Sequence, residues 1–254
     1  MPRIDAYETG IPCWTDVATT DPDDAVRFYT TVFGWEHEAI PTSSDPYHMF
    51  MQDGAYVAAC VRQDADAVAV GVPPAWITYL AGNADEVAVR VPAAGGTVLM
   101  PPLDVEGSGR MAIIADPGGA AVGVWEAGNH VGAQLVNEPV SMIWNEVNTP
   151  DMEATAGFLE QTFGVETVDV PMVESGYKTF NVGREPRGGI LQMTEEWEGV
   201  PPHWMTYFAV DDTDATCAAI LDAGGAVGIE PFDTALGRVA VVNDPQGAVF
   251  MVRG

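Results

Sequence analysis

The stretch Pro73-Pro74-Ala75-Trp76-Ile77-Thr78-Tyr79 decides the fold, because it occurs again as Pro201-Pro202-His203-Trp204-Met205-Thr206-Tyr207. Further matching pairs keep the same order at a separation of about 130 residues, which is the signature of an internal repeat. They are Trp14 with Trp144, Asp21 with Asp151, Phe33-Gly34 with Phe163-Gly164, Gly109-Arg110 with Gly237-Arg238, and Asp116-Pro117 with Asp244-Pro245. The sequence therefore predicts two copies of one domain, residues 1–126 and 140–254, joined by a linker over residues 127–139.

Each copy reads as two units of one strand, one helix and three strands. The alternation over Cys13–Ala18 predicts a strand, and Asp21 and Pro22 then predict a helix that ends at Gly34. Asn83 predicts a second helix reaching about Ala94. We therefore expect an α+β fold of four βαβββ modules, which form curved mixed sheets with helices on the outer face and a cup on the other.

Composition excludes several classes of partner. The 254 residues carry 37 acidic and 10 basic side chains, a net charge of −27, which repels nucleic acid and anionic lipid. The sequence shows no secretory signal and no apolar run of ~18 residues, and its three cysteines lie far apart, so we expect a cytoplasmic protein. Arg110 and Arg238 occupy matching positions, which predicts a structural salt bridge or an anion contact at the cup mouth.

The order of these features resembles a known family. A strand, an Asp-capped helix containing Phe28-Tyr29, then Phe33-Gly34 and a final Asp116-Pro117 turn are typical of the vicinal oxygen chelate (VOC) superfamily. That superfamily includes glyoxalases, bleomycin-resistance proteins, fosfomycin-resistance enzymes and extradiol dioxygenases. The resemblance covers nearly the whole chain and is strongest to the two-domain, glyoxalase-like group of actinobacteria. Some members of that group are called hydroxylases, and others accompany aromatic polyketide antibiotic pathways.

The resemblance also implies three metal-ligand positions in each copy, which the family fills with His, Gln or Glu. In this chain they are Trp14, Ile77 and Gly123 in the first copy, and Trp144, Met205 and Met251 in the second. These side chains offer neither a hard oxygen nor an imidazole, so we expect no metal cofactor. An alternative ligand set would join His48, His203, Asp16 and Glu146 across the copies.

Strand alternation predicts which side chains line the cups. It puts Trp14 with Asp16 and Trp144 with Glu146 on the cup side, and turns Trp76 and Trp204 towards the helices. The ligand-binding candidates are Trp14, His48, Tyr79, Trp125, Trp144, Met205 and Met251. The catalytic candidates are Asp16, Glu146, His203 and Tyr207. The alternative is that the aromatic residues only fill a core, and that His203 is an ordinary hydrogen-bonding residue. His37 and His130 read as surface or linker residues.

Three functions remain open at this point. The first is a glyoxalase/bleomycin-resistance-like protein that binds a small, aromatic natural product or metabolite in a metal-free cup. The second is a metal-independent tailoring enzyme that uses Asp16 or Glu146 as acid or base, because burial beside Trp would raise the carboxyl pKa. The third is a metal-dependent glyoxalase-like lyase or hydroxylase. We expect a small-molecule ligand, no nucleic acid or membrane partner, and a monomer or homodimer.

Overall fold

Two mixed sheets of eight strands each form the protein in a computed structural model that describes residues 3–105, 107–171, 173 and 175–254. The strands of the first sheet are β1 (Pro12–Thr19), β2 (Glu36–Ile40), β3 (Tyr47–Gln52), β4 (Ala55–Arg62), β5 (Ala75–Ala81), β6 (Thr97–Val105), β7 (Gly109–Ala115) and β8 (Ala121–Ala127). The strands of the second sheet are β9 (Met142–Thr149), β10 (Glu166–Asp169), β11 (Tyr177–Val182), β12 (Glu185–Gln192), β13 (His203–Ala209), β14 (Ala226–Thr234), β15 (Gly237–Asn243) and β16 (Val249–Arg253).

The helices complete four repeats of one module. They are α1 (Pro22–Phe33), α2 (Ala65–Ala69), α3 (Ala84–Arg90), α4 (Met152–Phe163) and α5 (Thr213–Asp222), with a 3-10 turn at Glu195–Trp197. The sheet orders are β2-β3-β4-β1-β5-β8-β7-β6 and β10-β11-β12-β9-β13-β16-β15-β14. The predicted α+β fold of four βαβββ modules is therefore confirmed. No helix in the described ranges has the length and apolar composition to span a bilayer.

Two local details differ from the sequence prediction. The sequence pattern over residues 63–74 predicts a loop, but this segment contains the short helix α2, whose N-cap Asp64 accepts hydrogen bonds from two backbone amides. Helix α3 ends at Arg90 rather than near Ala94, because Pro92 has no backbone N–H to continue the hydrogen-bond ladder.

The same signals start and end the first helix of each copy. Asp21 caps α1 by accepting from the amide of Asp24, and Gly34 ends the helix in the left-handed conformation at φ 70°. Asp151 and Gly164 play the same parts for α4, with φ 71° at the glycine. These matched caps place equivalent helices against equivalent faces of the two sheets.

The outer, helix-bearing face of each sheet is turned towards the other copy. One buried core joins Phe28 and Tyr29 of α1 to Ile220 of α5. Another joins Val87 of α3 to Phe158 of α4. Each core therefore draws its helices from both copies.

Hydrogen bonds cross between the copies in the same reciprocal manner. Tyr29 Oη donates to Asp244 Oδ2 at 3.0 Å, and Thr155 Oγ1 donates to Asp116 Oδ2. Both carboxyls come from the Asp-Pro turns that were recognised in the sequence, and burial raises the pKa of each. The Asp-Pro turn of each copy thus secures a helix of the other.

The two arginines at matching positions of the copies are structural. Arg110 forms ion pairs with Asp85 and Asp104, and Arg238 pairs with Asp214 and Asp233 in the equivalent geometry. Each arginine links the first turn of a helix to a strand, so the salt-bridge alternative is the one that the structure supports.

The repeated stretch also places a polar contact between the sheets. Thr78 and Thr206 both donate to Asn145 Oδ1, at 2.8 and 3.0 Å. Thr15 lies 3.2 Å from the Thr206 hydroxyl, and all four side chains are buried. The threonines of the two repeated stretches therefore contact each other at the interface between the copies.

Candidate functional site

The face of each sheet that points away from α1, α3, α4 and α5 is called the cup face. In the first copy, Trp14, Tyr79 and Trp125 cluster there without any helical residue. Trp76 lies on the opposite face, in the core beneath α1, and its Nε1 donates to Tyr29 Oη at 3.0 Å. Trp204 is likewise packed on the helix-bearing face of the second sheet, in the core that contains α4 and α3. The alternation in the repeated stretch therefore predicted both faces correctly.

A hydrogen-bonded chain of four side chains occupies the first cup face. Trp14 Nε1 donates to Tyr47 Oη at 2.9 Å, and Tyr47 Oη donates to Asp16 Oδ2 at 2.7 Å. Tyr79 Oη donates to the same carboxylate oxygen at 3.2 Å. Asp16 is thus a buried carboxyl held between two phenols, one of which is fixed by an indole.

The second copy repeats this chain with a longer acid. Trp144 Nε1 donates to Tyr177 Oη at 3.0 Å, and Tyr177 Oη donates to Glu146 Oε2 at 2.9 Å. Tyr207 Oη donates to Glu146 Oε1 at 2.7 Å. The Trp–Tyr–carboxyl–Tyr arrangement is therefore a property of the repeated fold and occurs once in each copy.

Neighbouring glycines make room for the tyrosines. Gly189 pairs with Glu146 in the ladder, and a Cβ there would lie 1.9 Å from Tyr177 Oη. Gly123 pairs with Tyr79, and a Cβ there would lie 2.0 Å from the phenol ring. Both positions therefore need glycine because a tyrosine side chain crosses directly over the backbone.

Two opposing effects set the pKa of each acid. Burial raises the pKa of Asp16 to about 6, while the hydrogen bonds from Tyr47 and Tyr79 favour the ionised form. Burial likewise raises the pKa of Glu146, against hydrogen bonds from Tyr207 and Tyr177. Burial, followed by the charge of Glu146, also raises the pKa of Tyr207, so this phenol stays protonated and acts as a donor. Burial therefore favours the protonated form of both carboxyls, and the pKa of Asp16 lies at about 6.

The linker covers the first cup. Ala133 donates its amide to Cys13 O at 2.7 Å, and the His130 ring meets Trp14 edge-on at 4.5 Å between centroids. Trp125 Nε1 donates to His130 O, and Tyr7 Oη donates to Ala133 O. His130 lies in the linker, as one of the two expectations had it, and the linker folds back onto the aromatic side chains. Burial lowers the pKa of His130 to about 4.

The second cup is more accessible and more polar than the first. Trp144 and Tyr207 are partly exposed, whereas Trp14 and Tyr79 are only 2% and 7% exposed. Position by position, Asn148 replaces Ala18, His203 replaces Ala75 and Arg253 replaces Trp125. The first two replacements lie on the cup face, near the end of β9 and at the start of the antiparallel strand β13, where Asn148 pairs with His203.

His203 is fully hydrogen-bonded. Its Nδ1 lies 2.8 Å from Pro201 O, and its Nε2 lies 3.1 Å from Asn148 Nδ2. Because a carbonyl can only accept, Nδ1 carries the proton and Nε2 accepts from the amide, in the neutral ring that burial favours by lowering the pKa. This arrangement fits a positioning role for His203. The Oδ1 atom of Asn148 is buried and has no partner among the described residues.

A cavity of about 480 Å³ lies beside this end of the second cup. Its lining includes Pro150, Met193, Trp197 and Pro202. The Trp197 ring lies 6.2 Å from the His203 ring, centroid to centroid. The second copy therefore combines a polar pair, an aromatic wall and open volume at one end of the sheet.

His48 is not placed with the other ligand-binding candidates. Tyr47 points into the cup, so alternation turns the adjacent His48 to the opposite face, where its ring nitrogen lies 2.8 Å from that of His37. The prediction that His48 binds a ligand is therefore corrected. Tyr47 and Tyr177 were missed, although each follows the acid of its copy at the same spacing, and that repetition was a usable signal.

The metal-ligand positions implied by the family do not fit a divalent metal. Met205 and Met251 pack together with Val239 in a small apolar cluster, and Gly123 lies beneath the Tyr79 ring. Thioether, alkyl and indole groups are poor donors for hard or borderline cations. In the part of the chain that the structure describes, no three His, Cys, Asp or Glu side chains are arranged to hold a metal, so the alternative set across the copies is not assembled.

Comparison with known proteins agrees with this architecture. The model of the Glyoxalase/Bleomycin resistance protein/Dioxygenase superfamily matches residues 12–124 and again residues 134–252. Among solved structures, the Mn(II)-bound glyoxalase from Novosphingobium aromaticivorans superposes with a TM-score of 0.67 at 19% identity, covering 96% of this chain and 82% of that one. At that identity the likeness shows the fold.

Two relatives share much more sequence. "Putative glyoxylase CFP32" of Mycobacterium tuberculosis is 41% identical over 257 residues, which cover 99% of this chain and 97% of the relative. "Anthracycline biosynthesis protein DauV" of Streptomyces sp. strain C5 is 37% identical over 261 residues, which cover 97% and 94%. The resemblance predicted from the repeated motifs is thereby confirmed, and the chain belongs to the glyoxalase/bleomycin resistance protein/dioxygenase superfamily.

Proposed function

We propose that the second cup binds a small, planar aromatic molecule without a metal and that the first cup supports the fold. The observation that carries this proposal is the Trp144–Tyr177–Glu146–Tyr207 chain, whose three aromatic side chains are partly exposed around the buried Glu146, while its counterpart is covered by the linker. The cavity near His203 falls within the size range of small-molecule sites, and its lining comes from Pro150 and the adjacent segment 193–202 rather than from these four side chains.

The side chains of the second cup suit an aromatic ligand. Indole and phenol rings provide broad, rigid contact surfaces, and the thioethers of Met205 and Met251 adapt to irregular shapes. Each Glu146 oxygen accepts one tyrosine hydrogen bond and retains capacity for another, so the carboxylate can receive a ligand hydroxyl. The unpartnered Asn148 Oδ1 is a second acceptor for such a group.

The names of relatives support the same class of ligand. DauV, and DnrV of Streptomyces peucetius at 37% identity, are both named anthracycline biosynthesis proteins. Anthracyclines are polycyclic aromatic compounds that carry several hydroxyl groups. These hydroxyls can donate to the remaining acceptor capacity of Glu146 and to the unpartnered Asn148 Oδ1. We therefore propose a polycyclic aromatic compound of this class as the ligand of this chain, which would bind it for sequestration or resistance.

Titration of an anthracycline against protein prepared with a chelator tests the proposal. We expect anthracycline fluorescence anisotropy to report binding, and Glu146→Gln to weaken it about tenfold, because an ionised acceptor is lost. Asp16→Asn is the matched control in the covered cup and should leave the affinity within about twofold. Equal losses in both variants, or no binding by the native chain, would contradict the proposal.

The second candidate is a metal-independent enzyme that uses Glu146 as acid or base. The raised pKa of Glu146 favours it, because a carboxyl whose pKa is raised by burial holds its proton more tightly and is a better general acid or base for a bound substrate. If the ligand is converted, Glu146→Gln should abolish turnover while the bound fraction persists. A stoichiometric metal in protein purified without chelator would instead favour a metal-dependent lyase or hydroxylase. A cytoplasmic location and a monomeric or homodimeric state remain predictions.

A further inference from the structure

A separate cavity of about 350 Å³ lies at the joint between the two copies. One wall is the N-terminal segment, which is tied to the first copy and the linker because Gly10 donates to Ala81 O and Ile4 donates to Gln134 O. The lining includes Ile4, Tyr7, Ile11, Val136, Ile143 and Arg187. Apolar side chains predominate in number, but polar groups, including the Glu8 carboxylate and the Arg187 guanidinium of β12, form at least half of the exposed wall, and Trp144 of the second cup also contributes.

Arg187 is unusual in this acidic chain. Six of the 10 basic residues form ion pairs with carboxylates, namely Arg27, Arg62, Arg90, Arg110, Lys178 and Arg238. The Nε atom of Arg187 is buried, and no hydrogen-bond partner or ion pair is found for it within the described ranges. Glu8 lines the same cavity without pairing with it. The side chain as a whole is half-buried, and its buried Nε–H group costs stability unless another molecule supplies an acceptor.

The backbone places Arg187 at this point by a bulge that both copies share. In the second copy Phe180 pairs with Gly188 but Asn181 pairs with Pro186, so Arg187 is skipped in the ladder. In the first copy the equivalent bulge skips Val57, which is completely buried in the apolar core. The second copy therefore places a charged side chain where the first places an aliphatic one, and bulges commonly re-aim side chains at sites.

We propose that this cavity binds a small monocarboxylate with an apolar or aromatic body. A guanidinium recognises a carboxylate through two parallel hydrogen bonds, and the apolar side chains of the walls accommodate the rest of the molecule. The volume lies near the lower end of small-molecule sites. The net charge of −27 disfavours a dianion such as phosphate more than a monoanion. Because the walls come from both copies, occupancy stabilises their association.

Calorimetric and thermal titration of the full chain with benzoate, benzamide and inorganic phosphate tests this site. Benzoate should bind and raise the Tm by at least about 2 °C at saturation, whereas benzamide and phosphate should bind at least about tenfold more weakly. Arg187→Met keeps the length of the side chain and should weaken benzoate binding at least about tenfold. Arg184→Met, in the exposed hairpin of the same strands, is the matched control and should change the affinity less than about twofold.

Benzoate binding that survives Arg187→Met, or that benzamide or phosphate equals, would overturn the proposal. If Arg187→Met unfolds the protein, Arg187→Lys gives a second test. Lys keeps the charge but loses the bidentate geometry, and it should retain folding while weakening benzoate binding. Glu146→Gln should leave benzoate affinity unchanged, so this site can fail without affecting the proposal for the second cup.

Discussion

Asp16 and Glu146 show how a carboxyl group can be buried in a fold at a limited cost in desolvation free energy. Each carboxyl is almost completely removed from solvent, yet each accepts hydrogen bonds from two phenols. These donors stabilise the ionised form, and burial opposes it more strongly, so the pKa of Asp16 rises to about 6. The pKa of Glu146 is raised by the same cause.

The pKa of Asp16 predicts a pH-dependent stability difference. The folded-state pKa of about 6 exceeds the usual value of 3.8, so the folded chain binds this proton more tightly than the unfolded chain. The contribution of Asp16 to the free energy of unfolding therefore falls as the pH rises from about 4 to about 6. We expect urea titrations to show that native protein loses roughly 1–3 kcal/mol more than Asp16→Asn over this interval. Parallel curves for the two proteins would contradict the pKa assignment.

At the scale of elements, β12 shows how a strand is adapted to the site. Gly189 lets Tyr177 lean across the strand from β11 and reach Glu146 on β9. The first copy has Ala59 at the position opposite Asp16, so the two crossings are built differently. The hydrogen bond from Tyr177 on β11 to Glu146 on β9 therefore depends on the absence of a side chain at Gly189 of β12.

Two glycine-to-alanine substitutions, one in a strand and one in a helix, distinguish a position where the added Cβ would clash from one where it only improves helix propensity. Gly189→Ala should lower the free energy of unfolding by about 1–3 kcal/mol, because the added Cβ would overlap Tyr177 Oη. Gly157→Ala, in the middle of α4 with no atom closer than 3.8 Å to the new Cβ, should instead raise it by about 0.5–1 kcal/mol. Chemical denaturation measures both, and a neutral or stabilising Gly189→Ala would show that Tyr177 is free to move away.

The sequence predicted the strands and the faces of their side chains better than the contacts between segments that are distant in the chain. The period-two pattern correctly turned Trp76 towards α1 and Trp14 towards the cup, because alternation is a local property of a strand. It did not predict that His130 lies over Trp14, because a linker without regular periodicity carries no signal of the surface it covers. Tyr47 and Tyr177 were missed because their strands are separated in sequence from the acids they hold.

At the scale of the whole molecule, the two copies share their interior. Tyr29 of the first copy is bonded to Asp244 of the second, and Phe28 packs with Ile220 in the same core. The threonine contact of the repeated stretches lies between the sheets. A single copy would expose half of each core, so the copies are expected to fold together.

Equilibrium unfolding can test this coupling. We expect tryptophan fluorescence and far-ultraviolet circular dichroism to follow one coincident transition in urea, because both cores span the copies. Tyr29→Phe removes the hydrogen bond to Asp244 and should lower that single midpoint for both probes. Two separated transitions, or a midpoint shift seen by one probe alone, would show that the copies unfold independently.

Electron density from a crystal grown with ligand shows whether the second cup holds an aromatic molecule through Glu146 without a metal. A crystal of the full chain grown with an anthracycline should show the ligand against Trp144, with a hydroxyl within hydrogen-bond distance of Glu146. Density confined to the first cup beneath His130, or an ion coordinated by side chains of the second cup, would contradict the account.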